Sequence, residues 1–212
     1  MTRSPASGRG HDLSAGFVTC ITRRSIERRH VSCIVERMNP SLMALLRLVH
    51  IVAGIFWVGA TIFLASFLLP AARAVGPGAG PLMTQLMERR RLQFWINIAM
   101  TLAILAGFAL YGLDSSMAGG AFGRSRMGMM LGLGALLAIA AAGVDGAVGR
   151  PTGRKLGELA QRMQETQRAG GPPPADLAAA SQPLQAKLGR ALNIMSILLL
   201  LSSATMAIAR YL

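Results

Sequence analysis

Acidic side chains, cysteine and aromatic rings are all scarce in this chain of 212 residues. Only 15% of the residues are charged, and Asp and Glu number 9 against 22 Lys and Arg, which gives a formal net charge of +13. So few charges beside 52% apolar residues exclude a soluble globular enzyme and a disordered tail. The two cysteines, Cys20 and Cys33, both lie near the N-terminus, and so low a number excludes a disulfide-rich secreted domain.

The excess of basic residues does not indicate nucleic-acid binding. A nucleic-acid surface combines a basic face with exposed aromatic rings, but aromatics are 5% of this chain and lie mostly inside apolar stretches. The Lys and Arg residues lie almost wholly between or outside those stretches. We interpret them as topology signals and contacts to lipid headgroups.

Four long stretches contain no Asp, Glu, Lys, Arg or His: residues 51–72, 92–113, 127–144 and 191–209. Each approaches or exceeds the roughly 18–20 apolar residues with which a helix crosses a hydrocarbon core of about 30 Å. The sequence therefore predicts an all-α integral membrane four-helix bundle with short interfacial helices. We expect its spans at about residues 42–69, 92–113, 127–148 and 191–210.

The first 37 residues differ in composition from the rest of the chain. They hold seven arginines and no apolar run long enough for a signal peptide. We expect a basic extension that is either disordered or not translated, with the fold beginning at Met38. A metal site formed by Cys20, His30 and Cys33 is a weaker alternative, because their spacing is irregular and lacks a CxxC pair.

The connection after the first span carries a strong helix-breaking signal. We expect Pro70 to end that span. In residues 82–91, Leu and Met recur at helical spacing beside Arg, which predicts an interfacial helix.

The third span is rich in small residues, and Gly128 and Gly132 form a small-xxx-small pair. Because small residues let helices approach closely, we expect the third helix at the centre of the bundle.

The hydrophilic segment 149–190 separates the third and fourth spans. We expect a short amphipathic helix in its first half, broken by the prolines at residues 172–174, and a second helix that begins near Asp176 and continues into the fourth span.

Orientation follows from the distribution of Lys and Arg. The loops at residues 70–91 and 149–190 carry 11 of them, against 4 on the opposite side. The positive-inside rule places these two loops in the cytoplasm and both termini outside a cytoplasmic (inner) membrane. Counting the first 37 residues would raise the smaller number to 11 and remove the bias.

Polar side chains inside a bilayer are costly, so each is a functional candidate. His50 follows Arg47 by about one turn, and Gly54 and Trp57 share its helix face. Neutral imidazole is a common ligand of haem iron and copper, and the glycine would leave room for a macrocycle. The alternative is a structural histidine that hydrogen-bonds to a neighbouring helix.

Three further groups of residues are candidates. Met129 and Met130, with Met127, begin the third span on the side where His50 lies, and a thioether is a recognised axial ligand, although membrane methionines are mostly packing residues. Asp145 would either handle protons or pair with Arg150 or Arg154. Asn97 and Asn193 are expected to hydrogen-bond between helices.

The run from Leu45 to Gly59, LLRLVHIVAGIFWVG, followed by Met87-Glu88-Arg89-Arg90, resembles the membrane domain of the copper-resistance protein D family and of the HemJ-type protoporphyrinogen oxidases. The resemblance implies a helical inner-membrane bundle in which His50 matches the first-helix histidine, a haem ligand in the oxidase branch. That branch also has a lysine in its third helix, whereas both lysines here, Lys155 and Lys187, fall in the third loop. The functionally uncharacterised relatives are the closer match.

These observations predict a multi-span inner-membrane protein that holds haem b, or alternatively copper, through His50. The alternative is a structural or assembly membrane protein with no cofactor. The sequence favours a non-enzyme, and an enzyme of this type would be a haem-linked membrane oxidoreductase. We expect the lipid bilayer as the main partner, with homo-oligomerisation through small-residue faces.

Overall fold

The computed structural model describes residues 40–118, 121–171 and 175–211. Within these ranges four helices are long and apolar enough to cross a membrane: α1 (Pro40–Val75), α2 (Leu92–Met117), α3 (Arg126–Arg168) and α4 (Ala175–Tyr211). This confirms the all-α fold and the four candidate membrane spans. The expectations for residues 1–37, including the metal site at Cys20, His30 and Cys33, lie outside the described residues.

Helix α1 continues through Pro70, so the prediction that this proline ends the first span is wrong. An α-helix over Pro40–Phe63 passes into a π-helical turn over Leu64–Leu68 and then into an α-helix over Leu69–Val75. The wider turn, closed by a bond from Leu69 N to Leu64 O, precedes the proline. The wider turn changes the backbone hydrogen bonding just before the pyrrolidine ring of Pro70. The helix therefore continues through a residue that normally ends it.

Helix α3 is also longer than predicted. Its membrane part, Arg126–Val144, continues through a π-helical turn over Asp145–Gly149 into Arg150–Arg168, so the expected amphipathic helix is an extension of the span. The helix ends at Arg168, and Gly170, whose φ of 78° is left-handed, follows it as the capping glycine. Bonds from Gly171 N to Thr166 O (3.1 Å) and from Gly170 N to Gln167 O (3.1 Å) form a Schellman cap. The glycine thus ends the helix before residue 172.

The remaining elements agree more closely with the sequence. A 3-10 turn over Gly76–Ala79, a short helix over Gly80–Thr84 and a π-helical turn over Gln85–Arg89 form the predicted short helix before α2. Helix α2 extends one turn beyond the predicted end, and a 3-10 turn over Phe122–Arg124 precedes α3. The α-helical part of α4 spans Ala175–Ile208, and Ala209–Tyr211 forms a final 3-10 turn.

The helices pack mainly in two pairs, α1 with α2 and α3 with α4. On α2 three small residues, Ala99, Ala103 and Ala106, are buried, and they let the neighbouring helices approach its backbone closely. The core cluster joins elements of all four helices and includes Trp57, Ile96, Met100, Ala141 and Leu199.

Helix α3 does not occupy the centre of the bundle. In the apolar 18-residue segment of α3 only 17% of the residues are buried, against 28% in the corresponding segment of each of the other three helices. Gly128 lies in the first turn, where its N–H bonds to Ser125 Oγ (3.0 Å) and a Cβ would meet the Phe122 carbonyl. The close approach to α4 is at Gly134 instead, where Ser202 Oγ donates to Gly134 O at 2.7 Å.

Candidate functional site

The His50 imidazole joins α1 to α2 by a single hydrogen bond. Its Nδ1 lies 2.8 Å from the backbone oxygen of Ala103, fifty-three residues further along the chain. A carbonyl oxygen only accepts hydrogen bonds, so Nδ1 carries the proton. In the neutral ring Nε2 then keeps its lone pair. The imidazole is therefore oriented, and one nitrogen is available as a ligand.

Gly107 provides the space in which the ring lies. A Cβ built on Gly107 would be 2.9 Å from His50 Cε1 and 3.2 Å from Nδ1, closer than side-chain atoms normally approach. The ring therefore packs directly on the α2 backbone one turn beyond Ala103. Gly107 was not predicted from the sequence, where its only signal is a glycine in the interior of an apolar helix.

The face of α1 that was predicted to hold a cofactor beside His50 is open at Gly54, whereas Trp57 on that face is buried in the core. A Cβ on Gly54 would meet no other atom within 4 Å, so there is open space one turn after His50, as the sequence suggests. Trp57 is only 3% exposed and belongs to the core cluster with Ala53 and Met100. Arg47, one turn before His50, is exposed.

The methionines that were candidate second ligands lie in the other helix pair. Met129 is 55% exposed, Met127 is exposed, and Met130 is half-buried. All three are on α3, which packs chiefly against α4, whereas His50 packs against α2. The structure brings His50 together with Ala103 and Gly107. Ligation by Met129 or Met130 stays a prediction from the sequence.

Asp145 forms an ion pair in the π-helical turn of α3. Its Oδ2 lies 2.8 Å from Arg150 Nε, and the two side chains are 11% and 37% exposed. Arg150 Nη2 also lies 3.9 Å from Met100 Sδ on α2. Of the two roles expected for Asp145, pairing with Arg150 is the one that this geometry supports.

Asn97 differs from the expectation of a bond between helices. Asn97 Oδ1 accepts a hydrogen bond from Gln93 Nε2 at 3.2 Å, within α2, instead of bonding to another helix. Asn193 lines an open cleft between α1 and α4.

Metal-binding side chains are sparse around His50. Among the residues that the structure describes, no three His, Cys, Asp or Glu side chains form a group that could hold a metal ion. A copper ion at His50 would therefore depend on methionine or backbone donors. Haem makes a smaller demand on the protein, because the macrocycle supplies four nitrogens and one imidazole can complete the attachment.

Comparison with known proteins gives no relative for this chain: no family model, no curated protein and no solved structure matches it.

Proposed function

We propose that this multi-span membrane protein binds haem b through Nε2 of His50 and belongs with the uncharacterised relatives of the copper-resistance D and HemJ-type proteins. The single observation that carries the proposal is the bond between His50 Nδ1 and Ala103 O. Histidines that bind metals commonly donate their other N–H to a backbone carbonyl, which fixes the ring and raises its basicity. The family assignment depends on the resemblance around His50.

The surroundings of His50 are compatible with a macrocycle. The open space at Gly54 lies on the same helix face as the imidazole, one turn along α1. Bound haem would supply one-electron transfer. The residues of the chain would supply its attachment, with His50 as the ligand and the Ala103 carbonyl as the group that orients it.

The hydrogen bond between His50 and Ala103 also supports a second candidate function. In a structural or assembly protein without a cofactor, His50 would only tie α1 to α2, and such bonds contribute about 0.6 kcal/mol on average in membrane proteins. The two functions differ in what they require of Gly54. A haem protein needs the space beside this glycine, whereas a structural histidine does not.

The experiment is to fill that space and measure bound haem. Gly54→Leu should lose most of the haem that copurifies with the wild-type protein, because the new side chain occupies the space beside the ligand. Gly59→Leu is the matched control, since Gly59 also lies on α1 with no atom within 4 Å of a built Cβ. It should keep the wild-type haem content. Equal haem content in both variants would count against the site.

We propose a cytoplasmic membrane as the location, with residues 70–91 and 149–190 on the cytoplasmic side. The basis is the charge bias of the sequence alone.

We also propose that the protein self-associates. It is supported by small exposed residues on α3, including Gly143 and Gly146, where a built Cβ meets nothing within 4 Å.

A further inference from the structure

An open cleft of about 400 Å³ lies between the C-terminal part of α1 and the fourth helix. From α1 it is lined by Ala65, Leu69 and Arg73, and from α4 by Gly189, Arg190 and Asn193. Ala65 belongs to the π-helical turn Leu64–Leu68. Such turns are frequent at functional sites because they shift the side chains that follow them around the helix.

One arginine of the cleft is held in place by the helix opposite. Arg73 Nη2 donates to the backbone oxygen of Gln185 on α4. The guanidinium lies against Gly189, where a built Cβ would be 2.6 Å from Nη2. One donor position is used by this bond, and a guanidinium has five. Arg73 is therefore oriented toward α4 with donors to spare.

The cleft carries two positive charges without a carboxylate. Among the side chains that the structure describes, the arginine in an ion pair is Arg150, so neither Arg73 nor Arg190 has an acidic partner there. Both are exposed, and the exposed amide side chain of Asn193 adds a neutral hydrogen-bonding group one turn along α4. This set of donors suits a phosphate group, which guanidinium binds in bidentate fashion.

The cleft is polar at one end and apolar at the other. Arg190 is the last charged residue before the uncharged stretch 191–209, and Arg73 lies in the last turn of α1. Leu69 lies one turn and Ala65 two turns before Arg73 in α1, on the side of the hydrocarbon. A ligand that fills the cleft would therefore present an anion to the arginines and an apolar chain to the membrane.

We propose that this cleft binds the phosphodiester headgroup of an anionic phospholipid, with the acyl chain along Ala65 and Leu69. Basic pockets between membrane helices on the cytoplasmic side are recognised lipid sites, and the charge bias predicts that this end of the bundle faces the cytoplasm. A soluble phosphate shares the headgroup chemistry but would leave the apolar end of the cleft unused.

The test uses the full chain purified in a neutral detergent, with lipid binding followed by native mass spectrometry. Phosphatidylglycerol should bind at least about tenfold more tightly than phosphatidylcholine. Arg190→Gln should weaken phosphatidylglycerol binding about tenfold, the equivalent of one charge-assisted hydrogen bond. Arg190 is exposed, so this variant should keep the thermal stability of the wild type in phosphatidylcholine.

The matched control is Arg154→Gln, because Arg154 is an exposed arginine on the same predicted side but on α3. It should leave phosphatidylglycerol affinity within about twofold of wild type, since it removes surface charge only. An equal loss in the two variants would overturn the site and indicate diffuse attraction. Displacement of phosphatidylglycerol by millimolar inorganic phosphate would overturn the lipid as its occupant.

Discussion

At the scale of single residues, the proposed chemistry depends on His50 and on the two α2 residues that it contacts, Ala103 and Gly107. The histidine was predictable because a lone imidazole in an apolar stretch is costly unless it has a partner. Its partner was not predictable, because a backbone carbonyl leaves no trace in the side-chain pattern. Gly107 was missed for a similar reason, since it contributes only the absence of a side chain.

We expect Gly107→Ala to destabilise the protein by about 1–3 kcal/mol, because the added methyl group would lie 2.9 Å from His50 Cε1 and overpack the contact. Unfolding by denaturing detergent would measure this loss. Gly112→Ala is the control on the same helix, where a built Cβ meets nothing within 4 Å. It should be neutral or stabilise by up to about 1 kcal/mol, as alanine does in a helix. Equal effects would show that Gly107 does not constrain the ring.

At the scale of helices, hydropathy predicted the four spans well because a bilayer requires every backbone group in its core to be satisfied within a helix. The ends of the helices were less predictable. Pro70 and Pro151 are both strong breakers, yet each follows a π-helical turn and the helix continues. A π-helical turn is defined by its backbone hydrogen bonds, and the spacing of apolar residues in the sequence does not reveal them. The sequence alone therefore could not indicate these turns.

Helix pairing was also beyond the sequence, because lipid-facing and protein-facing residues of a span are equally apolar. Gly128 and Gly132 matched a packing motif, but Gly134 makes the close approach to α4. That contact involves a side-chain hydroxyl, Ser202, whose bond to a backbone oxygen on the other helix has no sequence signature.

The pairing of α3 with α4 can be tested at Gly134. A Cβ there would lie 2.8 Å from Met206 Cγ and 2.9 Å from Thr205 Oγ1. Gly134→Val should therefore cost about 1–3 kcal/mol of stability by overpacking. Gly153→Val, further along the same helix with nothing within 4 Å of a built Cβ, should cost less than about 0.5 kcal/mol. Thermal unfolding in detergent would compare them, and a larger loss at Gly153 would contradict the pairing.

At the scale of the whole molecule, the four helices define a bundle but not its direction in the membrane. The charge bias predicts the orientation, and it depends on whether the first 37 residues are translated, because their seven arginines would equalise the two sides.

A reporter fused after Leu212 should be active outside the cytoplasm, and one inserted at Gly171, between α3 and α4, should be active inside. Protein made from Met38 onward should give the same pattern as the full chain if the N-terminal extension does not affect insertion. The reverse pattern in the full chain alone would show that the N-terminal arginines are translated and dominate orientation.

The visible absorption spectrum of the purified protein tests the central claim, haem ligation by His50, most directly. We predict a Soret band that His50→Ala abolishes or shifts, because losing an axial nitrogen changes the ligand field of the iron. A further change in Met130→Leu but not Met129→Leu would identify Met130 as a second ligand. Absence of the band together with copper that is lost in His50→Ala would contradict haem and support the metal alternative. A colourless, metal-free protein that is correctly inserted, and whose fold survives His50→Ala, would contradict both cofactors and leave His50 as the hydrogen bond between α1 and α2.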